Sequence, residues 1–290
     1  MSETLRAATF LDKGGTGKTT VTSHLGVACA RQGHEVLLID LAGKQGDLGK
    51  QFGIHEDYQR EIESEDAWPN ISTAFRSEWS SITEKLGEDV VEEFIHRTGE
   101  RVDVIPAHPG LDSLDAELAE VGDPRERYTR LNDFLDEYID PLRYDLVLID
   151  LPGVTNNITF NGLCAAQHVI APVQPTKFGM SQLCRLEDDL ERMQDRLGTQ
   201  IELTMVIPTA VDLRTKLADR YLETFREEYS DTVGPWGIPK SQDIRNSAAE
   251  GHTVFRLESP SKTAKQSRQA FIKDAEALVD RLQASEVEDT

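Results

Sequence analysis

The chain is short of cysteine: Cys29, Cys164 and Cys184 are far apart and form no C-x-x-C pair. They cannot frame a small disulfide-stapled domain, and they leave no thiolate set for an iron–sulfur cluster. They read as small apolar packing residues of a reducing compartment. Long apolar runs are also missing, and none approaches the roughly 20 residues that a membrane span requires. The polar opening, Met1 to Arg6, leads directly into an apolar segment, so no signal peptide is expected and the expected location is cytoplasmic. Basic residues are the third shortage. Thirty-one Lys and Arg face 52 Asp and Glu, a net charge of −21. That sign opposes nucleic-acid contact over the surface as a whole. The acids are spread along the chain, and arginines outnumber lysines. Two readings stay open: a surface adapted to a high-salt cytoplasm, such as that of a haloarchaeon, or simply an acidic protein.

One short stretch carries most of the chemistry. Lys13-Gly14-Gly15-Thr16-Gly17-Lys18-Thr19-Thr20 follows an apolar run, Ala7 to Leu11, and opens onto a helix-like stretch, Val21 to Arg31. Strand, glycine loop and helix in that order make a phosphate-binding loop. The glycines let backbone N–H groups turn inward around phosphate oxygens, where a Cβ would obstruct close approach. The helix N-terminus adds unpaired amides and a partial positive charge. Lys18 is placed to neutralise β- and γ-phosphates and the Thr19 hydroxyl to ligate Mg²⁺, so a nucleoside triphosphate is the expected ligand.

The rest of the chain supplies a scaffold of the right kind. Ala7–Leu11, Val36–Leu41, Val102–Pro106, Leu146–Leu151, Val169–Val173 and Leu203–Ile207 are short apolar runs, and helical patterns separate them, clearest in Gln182–Leu197 and Leu213–Tyr229. This alternation predicts one α/β domain over residues 1–290, a mostly parallel central sheet with helices on both faces. Residues 55–100 are the least regular and read as an acidic surface excursion, with room for short helices. Residues 285–290 read as an acidic tail. One apolar strand, Leu146 to Ile149, ends in Asp150, and a nucleotide-binding sheet places its Mg²⁺-side carboxylate at such a carboxyl end.

The general phosphate-loop pattern would have glycine at position 12, where this chain has Asp12, and it does not ask for Lys13. Lys-Gly-Gly-x-Gly-Lys-Thr resembles the deviant Walker A loop of the ParA/MinD ATPases, which implies a P-loop NTPase fold with ATP and Mg²⁺ as ligands. In that family the first lysine, here Lys13, reaches across a dimer interface to the partner's nucleotide, while Lys18 acts within its own subunit. The strand ending at Asp40 resembles the family's D-x-D-P-Q-G segment, whose first Asp organises the Mg²⁺ site and whose second aligns the attacking water. This chain has Ala42 at the second position, and Gln45-Gly46 followed by Asp47 comes one residue late. Either a shifted loop lets Asp47 or a neighbour replace the missing carboxylate, or hydrolysis is slow. Asp150-Leu151-Pro152-Gly153 is similar to the D-x-P-P end of the Walker B strand, with Gly153 for the second proline; Asp150 would hold a Mg²⁺-bound water.

The likeness runs on through Ile170 to Pro175, Thr209 to Lys216, Trp236 to Ser241 and Ala248 to Val254, and covers most of residues 5–282, with 55–100 unmatched. It places Pro239 beside the purine through its backbone. It implies a homodimer formed on ATP and two alternative roles. One is a ParA/Soj-like partition ATPase that binds nonspecific DNA when ATP-bound, associates with the nucleoid and answers to a ParB-like or other activating protein. The other is a switch that positions a protein cargo without touching DNA. For the first, Arg185, Arg192, Arg196, Arg214, Lys216, Arg220, Lys240, Arg245, Lys262, Lys265 and Arg268 put basic groups in the second half, with Lys240 and Arg245 as the candidate DNA contacts. The bland alternative is a set of solvated helix faces paired with acids such as Glu187 and Asp188. A membrane anchor is not expected: the amphipathic stretch Ser267–Leu282 runs into an acidic end, which an anionic surface would repel.

Overall fold

The computed structural model describes residues 4–43, 45–64, 67–212 and 214–288. Its strands are β1 (Leu5–Thr9), β2 (Val36–Asp40), β3 (His96–Arg97), β4 (Val102–Ile105), β5 (Leu146–Asp150), β6 (His168–Val173) and β7 (Glu202–Pro208). They form one sheet in the order β3-β4-β2-β5-β1-β6-β7. Neighbours run parallel except for β3, which pairs antiparallel with β4 at the edge. The helices are α1 (Lys18–Arg31), α2 (Asp47–Gln51), α3 (His55–Glu63), α4 (Ile71–Ala74), α5 (Trp79–Leu86), α6 (Gly110–Ala119), α7 (Pro124–Tyr128), α8 (Arg130–Phe134), α9 (Asn157–Ala166), α10 (Lys177–Leu197), α11 (Lys216–Glu228), α12 (Gln242–Ala249) and α13 (Lys262–Glu288).

The apolar strands dictate this arrangement. Successive residues of a strand point to opposite faces. In β2 and β5, Leu37, Ile39, Val147 and Ile149 enter one core cluster, and Val36, Leu38, Leu146 and Leu148 enter the other. A strand apolar on both faces is stable only under helices on both faces. The first cluster is closed by α6, α8, α9 and α10 through Leu111, Leu131, Leu163 and Leu183. The second is closed by α1 and α13 through Val21, Leu25, Phe271 and Leu278. The expected α/β architecture is the one observed, with strand ends displaced by one or two residues.

Helix limits follow local chemistry. In α10 the buried residues Leu183, Leu186, Leu190, Met193 and Leu197 keep helical spacing. Thr176 caps its start by accepting from Gly179 N–H, and Gly198 ends it in the left-handed conformation. The helix thus begins earlier than Gln182. Thr215 caps α11 in the same way, so that helix starts after the expected Leu213, which lies outside the described residues.

Three expectations need correction. Residues 55–100 are not merely an excursion. In α3 only Tyr58 is buried, but Ile71, Phe75, Trp79, Val90, Val91 and Phe94 all enter the core. Trp79 meets Phe94, Phe134 and Tyr138 edge-on at centroid distances of 6.0, 5.7 and 5.5 Å. The helices here are too short to show a period, and aromatic packing orders them instead. Cys184 is exposed rather than packed, one position beyond the buried stripe of α10, whereas Cys29 and Cys164 are buried and burial pushes both thiols up to about 12. At the other end α13 packs on α1 and reaches Glu288 as helix, so the expected tail is helical that far, and residues 289–290 lie outside the described residues. Among the described residues no helix is long and apolar enough to cross a membrane.

Candidate nucleotide site

β1 lies in the middle of the sheet between β5 and β6, and the loop that leaves it turns straight into α1. The crevice at the carboxyl ends of such strands is where a doubly wound sheet takes its ligand. Gly15 and Gly17 adopt φ of +75° and +97°, a conformation that a side chain would strain. A β-carbon at Gly14 or Gly15 would meet no atom within 4 Å, so the loop faces open space. No side chain caps α1, which leaves its first N–H groups without a side-chain acceptor.

That space is a cavity of about 580 Å³ lined by Gly14, Gly15, Gly17, Lys18, Thr19, Thr20, Ala42, Gly43, Gln45, Asp47, Asp112, Leu151, Pro152, Gly153 and Val154. Lys18 is buried, and its Nζ donates to the carbonyls of Lys13 at 2.9 Å and Leu11 at 3.3 Å. Burial lowers its pKa, against the opposing charges of Asp150 and Asp12. Gly153 lies tight against the loop: a β-carbon there would sit 2.8 Å from Lys18 Nζ and 2.9 Å from the Lys13 carbonyl. The departure from the family's second proline therefore has a steric reason in this conformation.

Asp40 and Asp150 are register partners on β2 and β5 and lie buried beneath the cavity floor. Thr19 Oγ1 donates to Asp150 Oδ2 at 2.6 Å, and Thr22 Oγ1 to Asp150 Oδ1 at 3.3 Å. Asp40 accepts from the N–H of Ala42 at 2.9 Å and of Leu48 at 3.1 Å, which folds the 42–48 loop around it. Burial, then the charge of Asp150, pushes Asp40 well above the usual carboxylate range. Burial likewise pushes Asp150 up to about 6, against the hydrogen bond of Thr19 and the charge of Lys18. Two buried carboxylates held side by side suit a cation. Among the described residues no group of three or more His, Cys, Asp or Glu could hold one alone. That fits Mg²⁺, which keeps waters and takes one or two carboxylates together with substrate phosphates.

The other expected residues divide. Asp47 opens α2 at the cavity and pairs with Lys50 Nζ at 3.0 Å. Lys13 does not line the cavity; its Nζ lies 4.3 Å from the centre of the Phe178 ring, which is 55% exposed. Thr16 is buried away from it, and its carbonyl accepts from Thr209 Oγ1 at 2.8 Å. Pro239 is buried, bridged to Val211, and does not line the cavity either. Lys240 and Arg245 are exposed and outside it. From the same basic set, Arg192 and Arg214 are ion-paired with Asp189 and Asp212, and Arg268 donates to the carbonyls of Val254 and Leu257. Asp112, in the first turn of α6, escaped the sequence reading. The signal was available, since the loop after β4 leaves the same carboxyl edge. A β-carbon at Gly43 would lie 3.3 Å from Asp112 Oδ1.

The chain matches the family model of an AAA domain over residues 7–203. It is 30% identical over 273 residues to the chromosome partitioning protein ParA of Caulobacter vibrioides, spanning 93% of this chain and 91% of that one. Among solved structures, the ATP complex of a Cyanothece McdA variant superposes with a TM-score of 0.74 at 20% identity, covering 96% of this chain and 97% of that one. The cobyrinic acid a,c-diamide synthase of Mycobacterium smegmatis with an ATP analogue and magnesium gives 0.68 at 24% identity, covering 97% of both chains. Those two likenesses speak to the fold. The family model and the ParA relative go further, and by them this chain belongs to the ParA/MinD family of P-loop ATPases.

Proposed function

We propose that the chain is a ParA/Soj-type switch ATPase that dimerises on ATP and acts in DNA partitioning, with nonspecific DNA bound by the ATP-loaded dimer. The observation that carries this is the divergence of two lysines from one loop. Lys18 is turned inward among loop carbonyls, whereas Lys13 leaves its own cavity and rests on an exposed ring. A cation presented outward beside a phosphate site is placed to serve a second subunit. The cavity supports ATP as the ligand, with the α1 amides and Lys18 on the phosphates. Thr19, Asp40 and Asp150 would hold Mg²⁺ and its waters, and the ion when bound supplies positive charge to the phosphate oxygens.

Hydrolysis in this reading is slow. Ala42 lines the cavity and offers no acceptor to orient water. Asp47 reaches the cavity through the shifted loop, which supports it as the replacement, and Asp112 brings a second carboxylate to the same space. Such a protein would work in the cytoplasm, on the nucleoid when ATP-bound, with a ParB-like or other protein to accelerate turnover. Pro239 remains the proposed purine contact: Val211, its bridge partner, follows Thr209, which bonds the phosphate loop.

The decisive test is Lys13→Ala. Nucleotide affinity should remain measurable while the ATP-dependent dimer disappears in light scattering; an unchanged dimer rejects the role of Lys13. A second reading, a cargo-positioning switch that does not bind DNA, is favoured by the net charge of −21 and by the engagement of Arg192, Arg214 and Arg268 with protein groups. Titration of duplex DNA with and without ATP, over a range of salt, separates the two. For the first, removing Lys240 and Arg245 together should weaken binding evenly across sequences and flatten its salt dependence.

A further inference from the structure

A second concave site lies at the opposite end of α1 from the phosphate loop, about 20 Å away for a helix of this length. Its cavity, of about 250 Å³, is lined by Val27, Arg31, Gly99, Glu100, Arg101 and Arg256. Three of these six are arginines, in a chain where acids outnumber bases 52 to 31. Among the described residues, no guanidinium of the three has a carboxylate within ion-pair distance or donates to a protein acceptor, unlike those of Arg6, Arg76, Arg130 and Arg192. Arg31 also sits at the C-terminal end of α1, where the helix dipole favours a cation. That accounts for Arg31 alone, and not for Arg101, which lies in a turn.

The wall is built so that this charge stays concentrated. Glu100 is the one acid in it, and both its oxygens are engaged, with the N–H of Thr253 at 2.7 Å and with the Thr253 hydroxyl. The bond is buried and ties the β3–β4 turn to the Thr253–Arg256 turn. A β-carbon at Gly99 would therefore lie only 3.4 Å from Arg256 Nη1. Arg101 is held at φ of +63°, a strained conformation for a residue with a side chain. Arg31 is steadied over the Phe255 ring, with Cζ 5.5 Å from its centre. Arg268 lies just inside; it donates to the carbonyls of Val254 and Leu257, and burial together with the charge of Arg31 lowers its pKa. An adjoining cavity shares Arg101 but contains Glu35 and Asp103, so its sign is mixed.

We propose that Arg31, Arg101 and Arg256 form a binding site for a small phosphate-bearing anion, either free phosphate or a phosphomonoester. Guanidinium groups match the oxygens of a phosphate in pairs, and three of them around one cavity suit a tetrahedral dianion. The volume admits a phosphate with a small substituent and excludes a duplex. This site is independent of how the P-loop is used.

The test uses the full chain with its P-loop saturated by a non-hydrolysable ATP analogue and Mg²⁺, which fills the γ-phosphate position as well, so that only a second site can respond. Inorganic phosphate is titrated by calorimetry and ³¹P NMR, followed by glycerol phosphate and AMP. One saturable site is expected, and the relative affinities of the three ligands separate free phosphate from an ester as its natural occupant. Arg31→Ala with Arg256→Ala should weaken binding at least about tenfold, as loss of charged hydrogen bonds does. Arg31→Lys with Arg256→Lys keeps the charge and the fold and should still weaken it measurably, because an ammonium is a point charge without the planar fork. Arg60→Ala, which removes a remote exposed arginine, should change nothing. The proposal is overturned if phosphate shows no saturable site, if Arg60→Ala weakens binding as much as the double variant, or if only duplex DNA binds through these arginines.

Discussion

Asp150 and Asp274 are both carboxyls sealed from water, one at the end of β5 and the other within α13, and their surroundings differ sharply. Asp150 has a hydroxyl on each oxygen, from Thr19 and Thr22, and the charge of Lys18 nearby; burial raises it only to about 6. Asp274 has one backbone donor, Trp236 N–H at 3.2 Å, and its Oδ2 has no partner among the described residues. Arg281 is near, but its guanidinium already serves the carbonyls of Thr204, Thr232 and Val233. Burial pushes Asp274 up to about 8. The first is a carboxylate furnished with donors that support its charge and placed beside Asp40, as a cation site requires. The second is a carboxyl that the fold accommodates in its neutral form. Burial by itself therefore does not mark a functional acid; the donors around it do.

The largest test of that contrast is hydrolysis. Asp150→Asn removes the negative charge that Lys18 and Thr19 are arranged around, and single-turnover ATP hydrolysis should fall by on the order of 10³-fold. Asp274→Asn should leave the same rate within about twofold, since the group lies outside the cavity. Equal losses in the two variants would collapse the distinction.

A smaller effect is expected in the loop that Asp40 shapes. Ala42→Asp should raise single-turnover hydrolysis by about 10- to 10²-fold if an oriented acceptor is what the site lacks. If Asp47 already provides it, Ala42→Asp will do little and Asp47→Ala will be severe. A wild-type rate that is fast and indifferent to both changes would show that neither carboxylate orients the water.

How legible the molecule was in its sequence varies along the same lines. β2 and β5 could be read because four consecutive apolar residues followed by Asp have one natural home, a buried parallel strand with its carboxyl end at the ligand. The phosphate loop could be read because strand, glycines and helix come in fixed order. Trp79 and Phe94 could not: their partners, Phe134 and Tyr138, lie some forty to sixty residues away, and no local period announces them. The two-residue β3 is too short for alternation to show. The Arg31, Arg101 and Arg256 group was invisible for the same reason, since it depends on segments that only the fold brings together. Asp274 looked like any polar residue of an amphipathic helix, because nothing in the sequence shows the 234–236 turn closing over it.

That turn sets up the smallest effect, which is on stability. A carboxyl of ordinary pKa near 3.8 when unfolded, and about 8 when folded, binds its proton more tightly in the native state. Below pH about 4 both states are protonated and the native state keeps its full stability. As pH rises from there towards 8 the unfolded chain releases the proton and the folded one holds it, so stability declines steadily and levels off above the folded value. Asp274→Asn keeps the acceptor for Trp236 N–H and removes the titration. The variant should be close to wild type, or weaker by about 1 kcal/mol, at pH 5, and more stable than wild type by on the order of a few kcal/mol at pH 9. Urea unfolding of both proteins at fixed high salt across that range checks it. A stability difference that does not change with pH would mean that Asp274 is ionised in the folded state after all, with Arg281 as its effective partner.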